Sequence, residues 1–241
     1  MVIPLGGFFV NCFIAIGAFC VYFAAQFVMS LAMTLVAEGT CMLRYPDAAF
    51  DQVYDFCEQF ITNHQCFALI FAAFFTFTIL WGYFKARGLS PTQELQAKKI
   101  TLGHTILFMI IGLMLNFVVG IIVSVIPWPE AWMSVYETES SQLLESEGFV
   151  IRFIALVLAA PIMEEVIFRG MMQTYLSHAM PTWLAAAIQC IIFGVIHGTP
   201  LWMCYTFILG IIFTFCNKKT GTLWTSIVMH VGFNLFAVIP T

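Results

Sequence analysis

Long apolar stretches separated by short polar segments dominate this chain. Such stretches predict membrane-spanning helices, because a helix of roughly 20 residues crosses a hydrocarbon layer of about 30 Å. Seven stretches can be marked: Phe8–Val36, Cys66–Phe84, Leu102–Ile126, Phe149–Ser177, Trp183–Ile196, Leu201–Cys216 and Thr222–Ile239. The first is longer than one span requires, so an eighth short element near either end fits the same pattern.

Composition agrees with a protein whose solvent is mostly lipid. Hydrophobic residues make up 61% of the 241 residues and charged residues only 9%, a balance outside the range of ordinary soluble domains. Uniform apolar runs of this length favour helices over the short alternating strands of a membrane barrel. We therefore predict an all-α, polytopic transmembrane bundle of seven or eight spans, with residues 1–241 forming one integral membrane domain.

The charges predict an orientation in the membrane. Six basic residues fall in two loops on the same side of the predicted bundle, namely Lys85, Arg87, Lys98, Lys99, Lys218 and Lys219. Ten acidic residues fall on the opposite side, namely Glu38, Asp47, Asp51, Asp55, Glu58, Glu130, Glu137, Glu139, Glu145 and Glu147. The positive-inside rule then places the amino terminus in the cytoplasm. With a net charge of −4 and no basic stretch, nucleic acid is not an expected partner.

The eight cysteines contain no CxxC pair and are expected to be packing residues. Cys41 and Cys57 share one polar loop, where a disulfide in an oxidising compartment is the alternative.

Three ionisable residues interrupt the fourth apolar stretch. Glu164, Glu165 and Arg169 lie within six residues, and each charge near the middle of a span costs about 2.5 to 3.5 kcal/mol on insertion scales. Glu165 and Arg169, four residues apart, share one helix face and can pair, whereas Glu164 points about 100° away. Glu164 is therefore free for other work. Pro161 predicts a kink that opens space beside it. The competing interpretation is a buried ion-pair cluster that only fixes packing.

Two further polar pairs lie in later apolar stretches. Phe193 and His197 end the fifth stretch, and His230 and Asn234 lie in the seventh. A spacing of four places His230 and Asn234 on one face, about 6 Å apart along the helix axis, which suits the binding of one small group.

These residue types permit the activation of water for attack on a peptide carbonyl. Glu164 in a low-dielectric site is expected to act as the general base and to share a water molecule with His197. His230 and the Asn234 amide could stabilise the negative charge that develops on the carbonyl oxygen. Arg169 would hold Glu165 and order the site.

The three motifs, Glu164-Glu165-x-x-x-Arg169, Phe193-x-x-x-His197 and His230-x-x-x-Asn234, resemble in order and setting the signature of the CPBP intramembrane proteases. This family includes CAAX-processing endoproteases and bacteriocin-processing or immunity (Abi) proteins. The similar region covers residues 161–235. The resemblance implies a bundle that encloses a polar cavity in a bacterial cytoplasmic membrane, with Glu164, His197, His230 and Asn234 catalytic and with Glu165, Arg169 and Phe193 supporting.

The resemblance leaves several points open. Zinc bound by Glu164, His197 and His230 is one alternative, but the sequence lacks HExxH and we prefer metal-free water activation. A bacteriocin-immunity or binding protein without physiological cleavage and a proton-coupled transporter are the competing functions. The expected partners are the lipid bilayer and a peptide or protein substrate, whose identity the motifs do not specify. They do not specify the oligomeric state either.

Overall fold

The computed structural model describes residues 5–236 and 238, and every regular element within them is helical. Residues 149–179 form one continuous helix, called the glutamate helix below. It consists of α7 (Phe149–Arg152), a π-helical segment (Phe153–Ala159), α8 (Ala160–Glu165), a second π-helical segment (Val166–Met172) and α9 (Gln173–Ala179). The other helices are α1 (Leu5–Arg44), α2 (Phe50–Asn63), α3 (Gln65–Ala86), α4 (Pro91–Glu94), α5 (Leu102–Val125), α6 (Glu130–Glu145), α10 (Thr182–Val195), α11 (Pro200–Thr220) and α12 (Leu223–Asn234).

The predicted all-α fold is confirmed, and each of the seven apolar stretches contains a helix. Within the described residues, four helices, α1, α3, α5 and α11, are long and apolar enough to cross a membrane by themselves. Their exposed side chains are largely apolar, as expected where lipid is the solvent, with Phe13 72% and Phe117 71% exposed. The number of spans stays a prediction. The predicted end of the seventh stretch at Ile239 lies outside the described residues.

The segments between the predicted spans contain helices that the apolar pattern missed. Helix α1 extends to Arg44, eight residues beyond its predicted end. Helix α2 packs back against it, and the two are linked by an edge-on contact between Tyr45 and Phe56. Cys41 and Cys57 are buried here as free thiols. Helix α6 was missed because it is polar on most of its surface, with no buried residue.

The glutamate helix is the core of the bundle. Residues 167–176 are all buried, so this part is covered by protein around its whole circumference. Helices α1, α3, α10 and α12 pack against different parts of the glutamate helix. Phe168, fully buried, meets Phe19 of α1 and Phe193 of α10 at ring-centroid distances of 6.1 and 5.1 Å.

Helices α5 and α12 make the closest helix contact. A Cβ atom on Gly112 of α5 would overlap the carbonyl oxygen of Met229 in α12, and one on Gly232 would lie 2.6 Å from the carbonyl oxygen of Met109 in α5. Small residues that let two backbones touch are a common way to join helices in lipid, where apolar burial supplies little driving force. This contact positions α12, which carries His230 and Asn234.

Both basic loops lie at the same end of the bundle, as predicted from their charges. The Thr222 hydroxyl donates to the carbonyl oxygen of Lys98 at 2.5 Å, and the Leu223 amide donates to that of Gln96 at 3.1 Å. These bonds join the start of α12 to the segment before α5. We call this end of the bundle the basic end.

Candidate active site

A buried ion pair lies at the centre of the glutamate helix. Arg169 Nη1 donates to Glu165 Oε1 at 2.9 Å, and both side chains are 0% exposed. The guanidinium also lies over the Phe193 ring, 4.0 Å from its centroid, and 5.7 Å from that of Phe213. Its Nη2 reaches the carbonyl oxygen of Gly210 at 3.5 Å. The predicted pairing of Glu165 with Arg169 is confirmed, and it compensates both charges.

His230 lies between the two glutamates. Its Nδ1 is 3.0 Å from Glu165 Oε1, and its Nε2 is 3.8 Å from Glu164 Oε2. Because an ionised carboxylate only accepts hydrogen bonds, Nδ1 carries a proton and donates a hydrogen bond to Glu165. The ring is thereby oriented with Nε2 towards Glu164.

Glu164 is partly exposed, as expected for a side chain that points about 100° away from the helix face shared by Glu165 and Arg169. Its side chain is 15% exposed, whereas that of Glu165 is fully buried. It lies near the midpoint of the glutamate helix, roughly 20 Å from either end. Glu164 is therefore the more accessible of the two carboxylates.

His197 is joined to this cluster through Phe193. It follows the end of α10, and its Nδ1 donates to the Phe193 carbonyl oxygen at 2.7 Å. The Phe193 ring meets the rings of His197 and His230 edge-on at centroid distances of 4.9 and 6.1 Å. The two histidines thus pack against one aromatic ring. The sequence paired Glu164 with His197, but the closest imidazole contact of Glu164 in the described part of the chain is with His230.

Asn234 is held by the backbone of the glutamate helix. Its Nδ2 donates to the carbonyl oxygen of Leu156 at 2.8 Å. Leu156 lies in the first π-helical segment. An amide has two N–H groups, and this bond uses one of them. The bond anchors the end of α12, one turn after His230.

Four features of this site were not predicted from the sequence. Glu165 was expected to pair only with Arg169, yet the same oxygen also accepts from His230. The other three are Phe213, Gly210 and Leu156, which contact Arg169 or Asn234. Apolar side chains and backbone carbonyls carry no motif signal, so only the packing of the helices identifies them.

The candidate zinc ligands are Glu164, His197 and His230. Among the described residues, no three His, Cys, Asp or Glu side chains come together in a way that could hold a metal ion. Glu164 and His230 are close, and the bond of His230 Nδ1 to Glu165 leaves Nε2 facing Glu164.

Together, the fold and this cluster define a helical membrane protein with a buried carboxylate–histidine site. Residues 146–236 match the family model described as type II CAAX prenyl endopeptidase Rce1-like. This match confirms the resemblance to the CPBP family, and the matched region contains all three motifs. It leaves the preceding helices unassigned.

Two curated relatives are similar over part of their length. The Bacillus subtilis protein named "Putative membrane peptidase YdiL" is 28% identical over 105 residues, which are 43% of this chain and 43% of the relative. The Lactococcus lactis protein named "UPF0177 protein YbdI" is 31% identical over 88 residues, 36% of this chain and 47% of the relative. The matched stretches thus span less than half of each relative. No solved structure matches the chain.

Proposed function

We propose that this protein is an intramembrane endopeptidase of the CAAX-protease type, which uses water to cleave a peptide bond. The observation that carries the proposal is the approach of Glu164 Oε2 to His230 Nε2 at 3.8 Å, with the ring held by Glu165. This pair joins two separate helices, the glutamate helix and α12. The family match and the name of the Bacillus relative support a peptidase, and neither alternative function gains support from them.

In the proposed reaction, Glu164 takes a proton from water while the water oxygen bonds to the scissile carbonyl carbon. His197, whose Nε2 is not used by the bond to Phe193, helps to position that water. Negative charge develops on the carbonyl oxygen, which accepts a hydrogen bond from the remaining N–H of Asn234 and, when His230 Nε2 carries a proton, from His230. The carbon–nitrogen bond then breaks, and Glu164 returns its proton to the leaving amine.

Arg169, Glu165 and Phe193 position these groups. The ion pair keeps Glu165 ionised, and the ionised carboxylate fixes the tautomer and direction of His230. Phe193 packs against the guanidinium and both histidines. We propose that the reaction needs no metal, because the arrangement supplies both a base and donors to the oxyanion.

The proposal is tested by comparing Glu164→Gln with Glu139→Gln in cleavage of a peptide library by purified protein. Glu139 is an exposed glutamate on α6, far along the chain from the motifs, and serves as the matched control. We expect Glu164→Gln to lower the rate by about 10²- to 10⁴-fold and Glu139→Gln to leave it unchanged. Equal cleavage by wild type and Glu164→Gln would refute the proposed mechanism.

We further propose that the chain sits in a bacterial cytoplasmic membrane with its amino terminus in the cytoplasm. The gathering of the basic loops at one end supports this orientation. Labelling of single cysteines in intact cells tests it. A reagent that does not cross the membrane should label a cysteine introduced at Glu139 and spare one introduced at Lys219; the opposite pattern would reverse the topology.

A further inference from the structure

A polar cavity of about 330 Å³ opens at the basic end of the bundle. Arg169, Gln173 and Ser177 line it from the glutamate helix, and Asn217 and Lys218 line it from α11. Arg169 is 2% exposed, whereas Lys218 is exposed. The cavity therefore extends from a lysine at the surface to the buried arginine of the active-site ion pair.

The lining of this cavity suits an anion. It carries two cationic side chains together with hydroxyl and amide groups, and no Asp or Glu is among the described residues that line it. Glu165 meets Arg169 through Nη1, and Glu94 at the same end is engaged by the Tyr175 hydroxyl at 3.0 Å. Lys218 thus brings positive charge to a lining rich in hydrogen-bonding groups, and Arg169, whose charge is balanced by Glu165, adds guanidinium donors.

Two polar atoms of the lining residues lack partners. Within the described residues, Arg169 Nε and Gln173 Oε1 are buried without a hydrogen bond. Gln173 is 6% exposed and uses its Nε2 to donate to Ser177 at 2.9 Å. Leaving a buried polar group unpaired destabilises a protein. A bound anion would accept from Arg169 Nε, whereas Gln173 Oε1 is an acceptor and would need a donor such as a hydroxyl group of the bound molecule.

We propose that this cavity binds a phosphate group. Lysine and arginine are the usual phosphate-binding side chains, and basic pockets between membrane helices bind the headgroups of anionic lipids. Lys218 belongs to the last turn of α11, one of the helices able to span a membrane, where headgroup phosphates are expected. This site goes beyond the proposed peptidase activity and does not depend on it.

The first arm tests a lipid headgroup as the source. The full chain is reconstituted in nanodiscs of phosphatidylcholine with increasing phosphatidylglycerol, and retained lipid is measured by native mass spectrometry. Lys218→Gln is compared with Lys219→Gln, which removes the same charge from the neighbouring residue outside the cavity lining. We expect Lys218→Gln to retain about tenfold less phosphatidylglycerol than Lys219→Gln. Lys218→Arg, which keeps the charge, should retain as much as the wild type.

The second arm tests free phosphate in nanodiscs of phosphatidylcholine alone. Inorganic phosphate is added at constant ionic strength, and the midpoint of thermal unfolding is followed by tryptophan fluorescence. If phosphate raises the unfolding midpoint of the wild type and of Lys219→Gln but not of Lys218→Gln, the site binds free phosphate. If phosphate does not raise the midpoint, but the first arm shows that lipid retention depends on Lys218, the site binds the lipid headgroup. Equal behaviour of the two glutamine variants in both arms would overturn the proposal.

Discussion

Replacement of Arg169 by methionine tests the energetic role of the buried ion pair. Methionine has a similar length but leaves Glu165 as a buried carboxylate, 0% exposed, that keeps only its bond to His230. One-sided removal of a buried pair costs about 3 to 5 kcal/mol. Loss of the guanidinium stacked 4.0 Å over Phe193 adds about 2 kcal/mol for a desolvated cation–π contact. We therefore expect Arg169→Met to lower the free energy of unfolding by about 5 kcal/mol or more.

The assay is the free energy of unfolding in detergent, followed by tryptophan fluorescence, for Arg169→Met, Glu165→Gln and the double variant. The double variant removes both charges, so it should be more stable than Arg169→Met alone. Peptide cleavage should be lost in all three, because His230 loses its oriented carboxylate or its charge balance. If Arg169→Met unfolds within about 1 kcal/mol of the wild type, the ion pair does not carry the stability assigned to it here.

Three further predictions follow from the geometry. Gly112→Ala should destabilise the fold by about 1 to 3 kcal/mol, because its Cβ would overlap the Met229 carbonyl. Gly120→Ala on the same helix should be tolerated, because a Cβ there has nothing within 4 Å. Equal unfolding midpoints of the two variants would contradict the close approach of α5 and α12. Asn234→Ala should lower kcat about 10²- to 10³-fold with little change in KM, and a change in KM alone would exclude an oxyanion role. Dialysis against a chelator should leave peptide cleavage intact, and activity that is lost and then restored by zinc would reverse the preference for metal-free chemistry.

Most of the fold could be predicted because lipid imposes one rule on every span. A backbone in hydrocarbon must satisfy its own hydrogen bonds, so apolar length alone located the helices. The same rule does not apply to α2 and α6, which are polar over much of their surface, and α6 has no buried residue. The end of α1 at Arg44 was missed for this reason too, since its last turns are stabilised by packing against α2 rather than by hydropathy.

Of the contacts in the site, only those between residues of the same helix could be predicted from the sequence. Glu165 and Arg169 pair because they are four residues apart. The contact of Glu165 with His230 depends on how two helices are rotated relative to each other, which no local spacing encodes. The close packing of α5 on α12 at Gly112 contributes to that rotation, and a lone glycine in an apolar stretch does not identify its partner.

The two π-helical segments, Phe153–Ala159 and Val166–Met172, bracket the glutamates. Each π turn accommodates an extra residue compared with an α turn, and one residue corresponds to about 100° of helix rotation. A helical wheel drawn for α8 therefore does not predict which side chains of α7 and α9 lie on the same face as the glutamates. Evolution can then adjust the lipid-facing and partner-facing surfaces of α7 and α9 separately, while the direction of the two carboxylates stays the same.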